Sequence, residues 1–249
     1  PIIFLLFYVL LMLLSGRQLL AHLGAMLFIF TPQLLLAVPP VTRYLQATVL
    51  TILSKGSTLY FSRVEDPQIT VPLYLAALIF FLLIFKGRKE KWIMAGAGVF
   101  YGLLFYSYFY YWMYLSIALA IGMALAWRLL PEVRWRIATA MGLGLAISIP
   151  HWINASVVAS LPQYPDIFDR LRPEVGRALN TQSLVVFAYV LHAVLAIGAW
   201  RMFRNSNRAA AIFFIALLLP VYIVYNIQII TGFNVHPDHW SKATMPVVN

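Results

Sequence analysis

The sequence predicts an all-α fold: a polytopic transmembrane helical bundle of about eight hydrophobic segments, with short amphipathic helices in its outer loops. Three observations predict it. The chain of 249 residues is 62% hydrophobic and 10% charged, with a mean hydropathy of +0.83, whereas soluble domains carry about 25% charged residues. Uncharged stretches of about 20 residues recur along it, the length at which a helix crosses a hydrocarbon core of ~30 Å. Charged residues fall between these stretches and rarely inside them, as the cost of a charge in lipid demands.

The segments follow from the gaps between charges. The first, "PIIFLLFYVLLMLL" over 1–14, is short and has no initiator Met before it. It reads as the end of a longer run in a longer chain. The second covers about 19–38 and stops at Pro39-Pro40, since proline cannot continue a helix interior. An amphipathic connection over 41–68 carries Arg43, Lys55, Arg63, Glu65 and Asp66. The third segment is 69–85, ending at "KGRKEK". Between Lys91 and Arg128 lie 36 uncharged residues. A single helix of that length would reach roughly 54 Å, so two helices are expected, about 92–108 and 112–128, turning within "YSYFYYW". The remaining segments are 137–157, 180–200 and 209–230. No linker, repeat or low-complexity tract interrupts them, and 1–249 reads as a single transmembrane domain.

Alternation sorts the connections into two sets. One holds eleven basic residues against two acids, the other seven against six. The positive-inside rule assigns the first set to the cytoplasm. The net charge of +10 is therefore read as orientation, with no nucleic-acid partner. The absence of cysteine excludes disulfides and thiolate metal sites.

Four polar or aromatic features stand on the side assigned to the outside. "SRVEDPQ", 62–68, puts Arg63, Glu65 and Asp66 before a helix start. Acids there suit the helix dipole. Alternatively Arg63 pairs with a phosphate, while Glu65 or Asp66 holds a divalent cation or accepts a proton. "YSYFYYWMY", 106–114, is either an aromatic belt at headgroup depth or a platform, including Tyr108, Tyr111 and Trp112, for a sugar or an isoprenoid chain. "PQYPDIFDRLRPEVGR", 162–177, reads as a short amphipathic helix on the surface. "NIQIITGFNVHPDHW", 226–240, ends the last segment with Asn226, Gln228 and Thr231, and Gly232 suits the residue that stops a helix. These residues, with His236 and His239, either meet lipid headgroups or contact a phosphate or sugar. A metal site on His236, Asp238 and His239 is the weaker reading, because the spacing lacks the i, i+4 helical form. His192 is the one ionisable side chain near the middle of a segment, where an interhelical hydrogen bond is expected.

"SRVEDPQITVPLYL", the basic loop after it, "GLLFYSYFYYW" and "NIQIITGFNVHPDHW" resemble elements of the polytopic glycosyltransferases of the GT-C superfamily in bacteria and archaea. The resemblance covers about residues 60–115 and 220–240. It implies an integral enzyme of a prokaryotic cell membrane that takes a sugar from a polyprenyl-phosphate donor at the outer face. It also implies an acidic catalytic residue in a first outer loop, which would precede residue 1, and a possible Mg or Mn ion. On that reading Arg63, Tyr108, Tyr111, Trp112, Asn226, Gln228, Thr231, His236 and His239 line the substrate side, with Glu65 and Asp66 as candidate catalytic acids. The partners are the lipid-linked donor and membrane lipids. A polytopic transporter or lipid flippase is the competing expectation, with broken helices meeting at midplane.

Overall fold

A computed structural model describes residues 2–37, 67–166 and 174–234. Among them the architecture is helical apart from one pair of two-residue strands. In chain order the elements are α1 (Ile2–Ser15), α2 (Gln18–Ala37), α3 (Pro67–Phe85), α4 (Lys91–Leu104), α5 (Phe109–Leu129), α6 (Pro131–Ile147) and α7 (Ile149–Ala159). Then come β1 (Glu174–Val175), α8 (Ser183–Phe203), α9 (Arg208–Leu218), α10 (Pro220–Val224), α11 (Ile227–Thr231) and β2 (Phe233–Asn234).

The division of the long uncharged run is as expected: α4 and α5 are separate helices, turning at 105–108. The number of crossings needs correction. Two helices among the described residues are long and apolar enough to cross a membrane, Phe109–Leu129 and Val185–Phe203. A third crossing results if Pro131–Ile147 and Ile149–Ala159, bent by 48°, form one span. The other apolar helices, taken over the fully described residues Ile2–Ser15, Gln18–Phe28, Ile69–Phe85, Lys91–Leu104 and Arg208–Val224, are 17 residues or shorter, so the described residues show two or three spans and not eight. The reason is that a gap between charges measures polarity, while a span needs continuous helix. Pro150 and Pro220 sit in the first turns of α7 and α10. Each removes a backbone donor and crowds the carbonyl four residues back; at Pro150 the expected segment 137–157 is bent, whereas the apolar helix Arg208–Val224 runs past Pro220 and stops short of the expected 230. The 14-residue α4 extends only ~21 Å at 1.5 Å per residue.

The core centres on α3. Its Phe81, Leu82, Ile84 and Phe85 are buried against Tyr101 and Leu104 of α4, Ile137 of α6 and Phe213 of α9. Phe81 meets Tyr101 edge-on at 6.2 Å and Phe85 meets Phe213 at 5.4 Å. Helices α4 and α6 pack backbone to backbone. Gly98 and Gly102, one turn apart, face the α6 backbone, where a Cβ on Gly102 would stand 2.9 Å from the carbonyl oxygen of Gly144. Small residues are what let two helix backbones approach this closely in an apolar medium.

The charged residues of α4, α5, α6, α8 and α9 stand at helix ends: Lys91 opens α4, Arg128 lies in the last turn of α5, Arg201 in that of α8, and Arg208 opens α9. The "KGRKEK" loop ties this basic end together. Lys86 Nζ donates to the Leu13 carbonyl of α1, and Arg136 Nη1 donates to the Gly87 carbonyl at 3.0 Å. An exposed ion pair joins Arg88 to Glu90 at 2.8 Å. A backbone hydrogen bond and the Arg88 charge hold the Glu90 carboxyl below its ordinary range.

Candidate functional site

The end remote from these basic loops gathers the aromatic turn, the stretch after α7 and the closing stretch. A second buried cluster makes the link. Tyr110 and Tyr114 of α5 pack with Val185 and Ala188 of α8 and with Val221, Val224 and Tyr225 around α10. Tyr114 donates its hydroxyl proton to the Leu217 carbonyl, and Tyr189 and Tyr222 stack at 5.2 Å.

Asn226 follows this cluster and joins three segments. Its Oδ1 accepts from the Asn180 backbone N–H at 2.9 Å, and its Nδ2 donates to the Tyr222 carbonyl at 2.9 Å and to the Tyr189 hydroxyl. Gln228 is 7% exposed. Its Nε2 donates to the Ala178 carbonyl at 2.9 Å, and its Oε1 accepts from Asn234 Nδ2 at 3.4 Å. Thr231 Oγ1 donates to Ile227 or Phe233 carbonyls. Gly232 ends α11 in the left-handed region at φ 86°, where a side chain is costly. The chain then turns into β2, which pairs antiparallel with β1, Glu174 opposite Asn234 and Val175 opposite Phe233. Arg177 completes the junction, its Nη1 donating at 3.0 Å to the Ile229 carbonyl near the end of α11, the cationic complement a helix C-terminus favours.

The polar residues of the closing stretch are thus a frame. Asn226, Gln228 and Thr231 spend their hydrogen-bonding groups on this end itself, mostly on backbone, with Asn226 also meeting the Tyr189 hydroxyl and Gln228 the Asn234 side chain. Of the stretch expected as an amphipathic helix over 162–177, residues 164–166 are helical, while 174–175 form strand β1 and 176–177 a backbone junction. Its middle, 167–173, lies outside the described residues, as do Arg63, Glu65, Asp66, His236, Asp238 and His239.

The aromatic turn is divided between core and surface. Tyr111 is buried, edge-on to Tyr74 at 5.0 Å, so its ring serves packing. Tyr108 precedes α5 half-buried, 5.1 Å from Tyr110. Trp112 is half-buried and stacks on Phe105 at 4.5 Å and 18°. Around this stack stand Tyr106, Phe109 and Trp152, all more than two-fifths exposed. Trp152 meets Trp112 edge-on at 5.6 Å, and His151 lies 6.0 Å from Tyr106 and 6.4 Å from Trp112. The Pro150 break positions the last two residues, with Trp152 Nε1 donating to Ser148 Oγ at 3.1 Å. His151 and Trp152 are not singled out by sequence reasoning. Their signal was Pro150 inside an apolar run, which ends one helix and aims the next turn at the aromatic loop.

His192 is 2% exposed. Its Nδ1 pairs at 2.8 Å with the Ala188 carbonyl of its own helix, and Nε2 has no partner. The expected interhelical bond is absent among the described residues. No group of three His, Asp or Glu side chains with metal-binding geometry occurs among them either.

Apolar helices of this length, charged only at their ends, define a helical membrane protein. No protein-family model, curated protein or solved structure matches the chain.

Proposed function

We propose that this protein is a membrane glycosyltransferase that moves a sugar from a polyprenyl-phosphate donor to an acceptor at the face opposite its basic loops. The observation that carries the reading is the ring platform of Tyr106, Phe109 and Trp152, exposed around the half-buried Trp112. Ring faces at headgroup depth suit a sugar or the first isoprene units of a lipid donor. The motif resemblance over about 60–115 and 220–240 points to the same chemistry. On this reading the polar residues 226–231 act as the rigid mount of the segment carrying His236 and His239. The role assigned to Arg63 and these histidines is to offset the charge that develops on the leaving phosphate. Glu65 or Asp66, or an acid outside 1–249, takes the acceptor proton. A Mg or Mn ion bound by these acids would supply further phosphate neutralisation.

The test is reconstitution of the full-length protein with a panel of polyprenyl-phosphate sugars, with and without Mg or Mn. Donor turnover is expected for at least one sugar. Arg63→Ala and His239→Ala should each lower it roughly 10- to 100-fold, the loss of a charge-assisted hydrogen bond of ~1.5–3 kcal/mol. No hydrolysis or transfer across the panel sinks the reading.

One observation favours a transporter or lipid flippase instead: the buried, unpartnered Nε2 of His192, since ionisable groups kept inside spans mark transport paths. That reading predicts proton movement in proteoliposomes on addition of a transported substrate, lost in His192→Leu. Equal proton movement in the variant eliminates it.

A further inference from the structure

The basic end of α5 carries a second feature, independent of the proposed reaction. Ala120, Met123, Ala124, Trp127 and Arg128 line a groove of about 380 Å³ on one face of the helix. Their spacing of three and four places them one above another. The two alanines, each with only a methyl group, recess the surface between Met123 and Trp127. Beyond the lining, the Arg134 guanidinium of α6 lies 4.2 Å from the ring centre of Trp127, which lines the groove, and 5.5 Å from that of Trp135. Its Nε is shielded and has no hydrogen-bond partner. Among the described residues no carboxylate lies within ion-pairing distance of Arg128 or Arg134, and the single ion pair there is Arg88 with Glu90.

We infer that this groove holds an anionic phospholipid, one acyl chain against Ala120 and Ala124 and its phosphate between Arg128 and Arg134. Each part of the lipid meets its complement. The groove is apolar along its length. Tryptophan marks headgroup depth at its mouth. Two guanidiniums without an ion-pair partner among the described residues, Arg134 resting on tryptophan rings, offer forked donors to phosphate oxygens, and basic pockets at this kind of helix end select anionic headgroups. A zwitterionic lipid would bring its own cation to the same place. The Ala120-x-x-x-Ala124 spacing also suits close helix pairing. A second copy packed there would, however, crowd four guanidiniums together without a counter-charge.

The purified full chain in detergent is titrated with phosphatidylglycerol and phosphatidylcholine of identical chains, and retained lipid is read by native mass spectrometry. Phosphatidylglycerol should be retained at least about tenfold more strongly. Arg128→Gln, at an exposed position, should weaken it about fivefold, and the Arg128→Gln, Arg134→Gln double variant about 25-fold, roughly the contribution of one basic residue each at an anionic surface. Ala124→Leu should weaken both lipids by filling the groove. Millimolar inorganic phosphate should displace neither. Equal retention of the two lipids overturns the inference, as does an unchanged preference in Arg128→Gln. So does displacement by inorganic phosphate alone, or a lipid-independent dimer that Ala124→Leu dissociates.

Discussion

Gly102→Val is expected to remove the folded protein from detergent extracts, the largest effect of any single substitution considered. A Cβ at position 102 meets Ile147 Cβ at 2.7 Å and the Gly144 carbonyl oxygen at 2.9 Å. The obstacle on one side is backbone, so no side-chain rotation relieves it and α4 must move away from α6. That separation opens the packing of Tyr101, which is 1% exposed and shares a 2.7 Å hydrogen bond with Ser116 on α5. Overpacking a core by a few methyl groups costs about 1–3 kcal/mol when side chains can adjust. Here the cost should exceed ~3 kcal/mol, a large part of the ~5–15 kcal/mol that stabilises a typical fold. Gly98→Ala tests the same seam more gently, its Cβ falling 2.8 Å from the Ala140 carbonyl oxygen. Gly142→Ala is the control. Nothing lies within 4 Å of its Cβ, so it should be neutral or raise stability by up to ~1 kcal/mol through helix propensity. Thermal unfolding followed by intrinsic fluorescence separates the three. A Gly102→Val melting curve that overlays that of Gly142→Ala refutes the close α4–α6 seam.

Hydropathy made the helical class legible, and the basic loops located most helix ends. It could not say which apolar runs continue as one helix. Pro150 is a single residue in long apolar surroundings, yet the chain bends by 48° there and the count of crossings depends on that bend. The α4 seam was equally hidden, because Gly98 and Gly102 acquire meaning only when Gly144 is opposite them. In the closing stretch the helix stop was legible, and the hydrogen-bond partners of the residues before it were not. Gly232 was recognisable as a helix stop because only a residue free of a Cβ takes φ 86° without strain. Asn226 and Gln228, by contrast, carry groups that suit a ligand or a backbone equally well. Their partners, Asn180 and Ala178, are about fifty residues away in sequence, and no local pattern announces such a pairing. The same long-range closure turned residues 174–175 from an expected helix into a strand, since Phe233 and Asn234 offer an extended edge to pair with.

Asn226→Leu should therefore act on stability first and on any activity only as a consequence. The substitution keeps the branching of the side chain and removes the three side-chain hydrogen bonds by which Asn226 meets the Asn180 N–H, the Tyr189 hydroxyl and the Tyr222 carbonyl. It strands the Asn180 N–H, the Tyr189 hydroxyl and one acceptor site of the Tyr222 carbonyl. An unsatisfied buried group costs about 1–3 kcal/mol. With partial access of water to this half-buried site, a total loss of roughly 2–5 kcal/mol is expected. The loss should be local before it is global, because the β1–β2 pair and the Arg177 bond to Ile229 depend on the same junction. Limited proteolysis should open the backbone near 176–182 in Asn226→Leu while α4 and α6 stay protected. Trp152→Ala provides the opposite signature. Its ring is 46% exposed and stands on the platform, so the protein should unfold close to the wild-type temperature while binding of a polyprenyl-phosphate sugar weakens. If Asn226→Leu instead leaves both the melting temperature and the cleavage pattern unchanged but abolishes donor binding, Asn226 is a ligand-contacting residue and the frame assigned to the closing stretch is wrong.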